Sequence, residues 1–303
     1  FTHIEGEKNV SLAVYTLAGG TMLHFLLNML TNWGSNDRSD VIDFWTKSEM
    51  AATGQAAIAC LAVSVSIALL FSKAGKLKKS IAVAALALIV AYNLVLAGRT
   101  LFLFMIIAAA AAFLYTLLEQ KKQASKKIVI LLVIAAVLIT AYNSNLFGIR
   151  SAVESSNFYL RFFDDNSSQG LEEDTRMKNK MAYLERFWDH MWGGEKIRDD
   201  YGAYAHDLYL DTYDEAGIFA LVAIVAYIFS SLTRMLKYIK NKKFSQEIRL
   251  VVLCTYLICN IQFWLEPIMR GEPWLFAIYC FIDGAVTRLL QEDKRHMHLA
   301  NMR

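Results

Sequence analysis

Eight stretches of the chain, near residues 9–30, 52–72, 80–97, 100–118, 128–145, 216–233, 249–265 and 274–290, are apolar for long enough to cross a bilayer as helices. A helical span needs roughly 17–25 such residues, and in hydrocarbon a helix satisfies its own backbone amides. The expected fold class is therefore an all-α polytopic membrane protein. A hydrophobic share of 56% and a mean hydropathy of +0.33 over the chain exclude a water-soluble enzyme. Two prolines and 15 glycines in 303 residues exclude collagenous and disordered classes. Cys60, Cys254, Cys259 and Cys280 all fall inside apolar runs, where cysteine behaves as a small buried side chain rather than as a bridge or metal ligand. The chain opens at Phe1 without a charged-then-apolar leader, so further residues, and further spans, are expected upstream.

The loops between the spans are unequal in charge. With the first tail inside, the inner segments hold 19 of the 31 Lys and Arg residues, while 21 of the 28 Asp and Glu residues fall in the outer ones. Cytoplasmic loops retain Lys and Arg, so both ends of the chain are expected on the cytoplasmic side. One outer loop, residues 146–215, is far longer than the rest, and loops of that length are usually functional or disordered. Apolar residues at helical spacing favour function: Met177, Met181, Leu184, Trp188 and Met191 form one stripe over 175–192. Asp174 or Thr175 is placed to cap its start, and Gly193 and Gly194 to end it. The stripe predicts an amphipathic helix lying on the outer membrane surface or packed over the spans. With neither an internal repeat nor a low-complexity linker, residues 1–303 read as a single integral domain.

Candidate chemistry lies on the outer side. Arg38 stands in TNWGSNDRSDVIDFW, Arg99 in the short turn LAGRTLF, and Arg176 in EEDTRMKNKMAYLERFWDHMWGG. A guanidinium between two apolar helices is costly without a partner, so Arg99 reads as a site residue or as an interfacial arginine snorkelling to headgroup phosphate. Arg38 sits among Asp37, Asp40 and Asp43, which also allows a plain loop ion pair. Arg176 opens the amphipathic helix, where a cation opposes the helix dipole; the alternative is a solvated face shared with Lys178 and Lys180. In YGAYAHDLYLDTYDEAGIF, His206 precedes a span with Asp207, Asp211, Asp214 and Glu215 around it. It reads as a proton-handling group or as an interfacial histidine beside Tyr209 and Tyr213, which share its helical face. His190 lies fourteen residues beyond Arg176, and His24 within a span. Asp283, in FIDGAVTR with Arg288 near, is an acidic residue inside the last apolar run, read as structural. No Walker loop, HExxH, CxxC, GxSxG or DxD doublet occurs.

The run from Arg176 through Trp188 to Gly193-Gly194, followed by AHDLYLDTYDEAGI leading into a span, resembles the O-antigen polymerase and O-antigen ligase superfamily. Asp207 stands where that family usually has asparagine. The turn AGRT resembles the family's serine/glycine-arginine-threonine turn, and DRSDVIDFW followed by ATGQ its earlier arginine-bearing outer loop. The likeness runs over essentially the whole chain. It implies a C-type glycosyltransferase bundle acting on glycans carried by a polyprenyl pyrophosphate. In that picture Arg38, Arg99 and Arg176 bind the pyrophosphate through bidentate forks, His206 is the general base, and Asp207, Tyr209 and Asp211 support it.

The expected activity is metal-independent polymerisation of lipid-linked repeat units on the outer face of a bacterial cytoplasmic membrane. A ligase moving the glycan to a lipid A core sugar is the near alternative, and a transporter or flippase for lipid-linked sugars the rival from another class. The resemblance implies no cofactor and no nucleic acid. As partners it implies the lipid-linked donor, a glycan acceptor, membrane lipids, and a chain-length regulator or flippase.

Overall fold

A computed structural model describes residues 6–32, 40–96, 99–119, 149–154 and 175–301, together with 136, 140 and 142–146. Eleven helices are described: α1 (Gly6–Thr31), α2 (Ala52–Phe71), α3 (Lys76–Leu96), α4 (Arg99–Glu119), α5 (Ile149–Glu154), α6 (Thr175–Glu185), α7 (Lys196–Tyr201), α8 (Leu208–Lys240), α9 (Gln246–Leu265), α10 (Ile268–Gly271) and α11 (Pro273–Asn301). Among the described residues there is no strand, only one isolated bridge between Ile42 and Glu49. Seven of these helices, α1 to α4, α8, α9 and α11, are long and apolar enough to cross a membrane. The chain is a multi-pass α-helical membrane protein. Of the span expected near 128–145, only 136, 140 and 142–145 are among the described residues.

Two compact units divide the chain: Phe1–Thr16 with Gln169–Arg303, and Leu17–Ser168. In the second, α2 is the central element, packed against both α3 and α4. Its sequence explains the position. Ala52, Ala56, Ala57, Ala59, Ala62 and Ala68 are buried, and small side chains let neighbouring helices approach closely where water supplies no driving force. The buried Ser64 hydroxyl donates back to the Cys60 carbonyl at 2.8 Å, so it costs little there.

The first unit is an antiparallel set of α8, α9 and α11, with α10 in the turn between the last two. At one end Ser245 caps α9 by accepting from the Ile248 amide, and its own amide donates to Glu7 at 2.8 Å. The buried Arg249 donates to the carbonyls of Ile239 and Phe244, closing the end of α8. Asp283 is paired not with Arg288, its neighbour in sequence, but with Arg234 on α8, through Nε at 2.9 Å and Nη2 at 2.6 Å. Tyr256 adds a third donor at 2.8 Å. Arg288 instead pairs with Glu292 one turn on. Asp283 thus staples three helices together, as a charge within an apolar run must be satisfied.

At the opposite end of this unit the chain forms an ordered cap from α6, α7 and the first turns of α8, over a core of Tyr183, Ile197, Ala205 and Tyr213. The helix expected over 175–192 stops at Glu185. Beyond it the chain tightens, with the amides of Phe187 and Asp189 bonding three residues back, while Phe187 stacks on Tyr213 at 4.1 Å and its carbonyl accepts from the Tyr213 hydroxyl. Residues 191–195 then run along 214–218: Ile218 donates to Met191, Gly194 to Glu215, and Glu195 to Asp214. Gly217 breaks α8 there with φ 80° and ψ −173°, and Gly193 faces it at φ 78°. A Cβ on Gly193 would meet the Gly217 nitrogen at 2.5 Å, and one on Gly217 the Met191 oxygen at 2.8 Å. Only glycine permits both the dihedrals and the approach.

Gly217→Ala or Gly193→Ala should therefore lower the thermal midpoint of the detergent-purified protein, at about 1–3 kcal/mol of backbone strain each before the clash is added. Gly20→Ala, at a helical glycine with open space around it, should leave the midpoint unchanged or raise it. Equal tolerance at all three positions would contradict the close crossing.

Candidate functional site

Three aspartates at the start of α8 organise the cap. Asp207 is the N-cap, its Oδ1 accepting from the amides of Tyr209 and Leu210 at 2.9 and 3.2 Å; aspartate and asparagine serve this position about equally well. Asp211 reaches back, accepting from the amides of Ala205 at 3.0 Å and Asp207 at 3.2 Å. Asp214 accepts from the Ile197 amide at 2.9 Å and from the Tyr183 hydroxyl at 3.4 Å.

His206 therefore stands outside the helix, contrary to the helical face expected to unite it with Tyr209 and Tyr213. Its φ is 55°, a left-handed conformation that histidine adopts more readily than most residues. Asp211 makes no His-Asp pair through these bonds. It instead grips the amides on either side of His206 and so fixes the backbone that presents the ring.

The cap's cations come from α6. Arg176 Nη1 donates to the Leu265 carbonyl and to Glu266 Oε1, both at 3.1 Å. Lys180 donates to the Trp264 carbonyl and lies 3.3 Å from Asp207 Oδ2. Arg176 and Lys180 are four residues apart and share one face, so both cover the C-terminus of α9, where orphan carbonyls and the dipole favour positive charge. The solvated-face alternative splits accordingly: Lys178 is exposed, while Arg176 and Lys180 turn inward. The unfavourable place of Arg176 at the start of its own helix is offset by the favourable end of another.

The carboxylates here are short of water. Burial pushes Asp207 above the usual carboxylate range in spite of its backbone bonds and Lys180. It pushes Glu266 up as well, against Arg176 and Lys180. Glu272, at the turn into α11, is pushed up to about 7 by burial and then by the charge of Glu266, with a Trp274 hydrogen bond opposing. Beyond this group, Arg270 of α10 pairs with both Glu195 and Glu215, and Arg198 with Glu195. Tyr204 lies within reach of both guanidiniums, at 5.4 Å from Arg198 and 5.6 Å from Arg270.

Of the residues singled out in the sequence, Arg176, His206, Asp207, Tyr209 and Asp211 thus share one end of the first unit. Arg38 lies outside the described residues. Arg99 is the first residue of α4 in the second unit, and its side chain lies outside the described residues too. His190 is not on α6; its Nε2 sits 3.7 Å from Asp200.

In the second unit the residues following Arg38 are held by α1. Asn32 bonds both the amide and the carbonyl of Ile42 at 2.9 Å, and Asn28 accepts from the Phe44 amide at 2.6 Å. The Trp45 indole donates to His24 Nδ1 at 3.1 Å. His24 Nε2 in turn lies 3.0 Å from both Gln55 Oε1 and Asn28 Nδ2.

Lys180, Glu266, Glu272 and Arg270 were not singled out from the sequence. The four-residue spacing of Arg176 and Lys180 was a signal available for the first. The acids of EPIMRGEP carried none: Glu266 meets Arg176 only because α6 lies across the end of α9.

A stability test follows from Glu272. Its carboxyl titrates near 4.5 when unfolded and about 7 when folded, so between those values the folded state holds the extra proton and stability falls as pH rises. The thermal midpoint of the parent should drop between about pH 5 and 8, and Glu272→Gln should flatten that slope. An unchanged slope in the variant would show that Glu272 does not carry the pH dependence.

No protein-family model matches the chain, and no curated protein matches it.

Proposed function

We propose that this chain is a membrane glycosyltransferase that polymerises lipid-linked oligosaccharide repeat units, drawing the glycan from a polyprenyl diphosphate at the outer face of a bacterial cytoplasmic membrane, on a bundle of the C-type glycosyltransferase kind. One observation carries the reading. Two cations of α6 turn inward at the end of the unit that carries His206, the amides flanking that histidine are held by Asp211, and Lys180 lies 3.3 Å from Asp207, the next residue in the chain.

The chemistry needs such a set. An acceptor hydroxyl oxygen bonds to the anomeric carbon as the bond from that carbon to the diphosphate oxygen breaks. The electron pair leaves with the polyprenyl diphosphate, and the acceptor's proton passes to His206. Charge gathering on the leaving group is met by preorganised cations, and arginine's planar fork suits diphosphate oxygens. Within the described residues Arg176 takes that part with Lys180 beside it, and the incoming anion competes with the carboxylate of Glu266. Arg38 and Arg99 join the proposal through the motif resemblance. Asp207, Tyr209 and Asp211 act on His206 by position, Asp211 through the two amides that it holds.

The outward placement rests on charge: the loop between α8 and α9 is rich in Lys and Arg, while Asp and Glu concentrate in the cap.

Purified protein supplied with a synthetic lipid-linked donor and acceptor should turn over, and should do so equally with chelator present. His206→Ala should lower the rate by about 10² to 10⁴ while donor binding persists. Arg176→Lys keeps the charge but loses the fork, and its activity should fall markedly. Parent-like turnover in both variants, with insertion intact, would sink this assignment of roles.

A further inference from the structure

Helix α6 has three faces, not two. At about 100° per residue, Arg176, Asn179, Lys180 and Tyr183 fall on one third, and it is the protein-facing third: Asn179 donates to the Tyr204 carbonyl at 2.9 Å and Tyr183 to that of Ala203 at 3.0 Å. Lys178, Ala182 and Glu185 form a second, polar third. Met177, Met181 and Leu184 form the last, and these apolar side chains are 59%, 49% and 53% exposed. The sequence left open whether this stripe packs over the spans; among the described residues Met177, Met181 and Leu184 remain exposed.

Exposed aromatic rings mark the level at which α6 lies. Trp264 is exposed in the last turn of the membrane-crossing α9, and its carbonyl receives Lys180 of α6. Past the other end of α6, Trp188 and Trp192 are exposed by 72% and 78%. Trp192 rests on Phe219 with ring centroids 6.0 Å apart. Phe219 begins the exposed apolar line Phe219, Val222, Val225 and Phe229 down α8, the side that a membrane-crossing helix turns to lipid. Tryptophans gather where hydrocarbon meets headgroups. α6 is therefore bracketed along its length by groups that belong at that boundary.

We infer that α6 is seated in the bilayer interface, with Met177, Met181, Leu184 and Trp188 entering the lipid, its Arg176 and Lys180 face against the bundle and its Lys178 face in water. The occupant of the apolar face is lipid. Such helices sink by about 5–10 Å into the boundary between headgroups and acyl chains, so the two inward cations stand at headgroup height. A phosphate reaching them comes along the membrane, on a lipid. The inference is independent of the sugar-transfer reading, because its test uses no donor and no activity.

The test places a nitroxide at Met181→Cys or at Lys178→Cys in the full chain, reconstituted into vesicles of phosphatidylethanolamine and phosphatidylglycerol. Both positions are exposed, so neither label disturbs the core. Relaxation is measured with oxygen, which concentrates in lipid, and with a water-soluble nickel chelate. At 181 the oxygen-to-nickel ratio should exceed that at 178 severalfold, with 181 at shallow depth. Nickel-dominated relaxation at 181 would put the stripe in water and overturn the inference. Protection from both agents, with spin–spin broadening, would show a second copy on this face and overturn it equally.

Discussion

The carboxylates of Asp207, Asp211 and Asp214 carry the cap. Between them they accept hydrogen bonds from the backbone amides of Ile197, Ala205, Asp207, Tyr209 and Leu210, tying α7, the turn bearing His206 and the start of α8 into one piece. Three buried acids in two turns repel one another. They are tolerated because the N-terminus of a helix favours negative charge, because charge-assisted bonds to backbone amides are strong ones, and because Lys180 neutralises the first. A helix end that must leave the bilayer is here made into the anchor of a folded polar layer.

From that anchor the cap grows by mutual exclusion of alternatives. Asp214 needs Tyr183 and the start of α7, and this fixes α6 across the end of α9. There Arg176 and Lys180 find the carbonyls and acids that make their positions favourable. The crossing of Gly193 and Gly217 closes the other side, where any Cβ would strike backbone. Removing one partner leaves a buried charge or amide unmet, which costs more than the bond itself contributes. The layer is therefore rigid where the proposed chemistry needs fixed donors.

Much of the helical frame was legible because span length and hydropathy are local properties. The ends of α2, α4 and α9 fall within a few residues of the apolar runs that announced them. Partnerships were not legible where they join distant segments. Nothing near Arg176 in sequence points to Glu266, ninety residues on, and Asp283 had a nearer but wrong candidate in Arg288. The early end of α6 was hidden because its apolar period runs on through Trp188 although the backbone turns away, drawn by the packing of Phe187 on Tyr213. For His206 the spacing suggested a helical face, whereas the N-cap at Asp207 puts it one residue outside, in a left-handed conformation whose flanking amides Asp211 holds.

The proposed function requires the cap and the basic loop between α8 and α9 to lie on opposite sides of the membrane, with the cap outside. Cysteines introduced at Asp199 in α7 and at Lys242 beyond α8, both exposed positions, test this in intact cells with an impermeant thiol reagent. The account predicts labelling at 199 without lysis and at 242 only after it. Labelling at 242 in intact cells with 199 protected would turn the cap to the cytoplasm and contradict the proposed site of transfer.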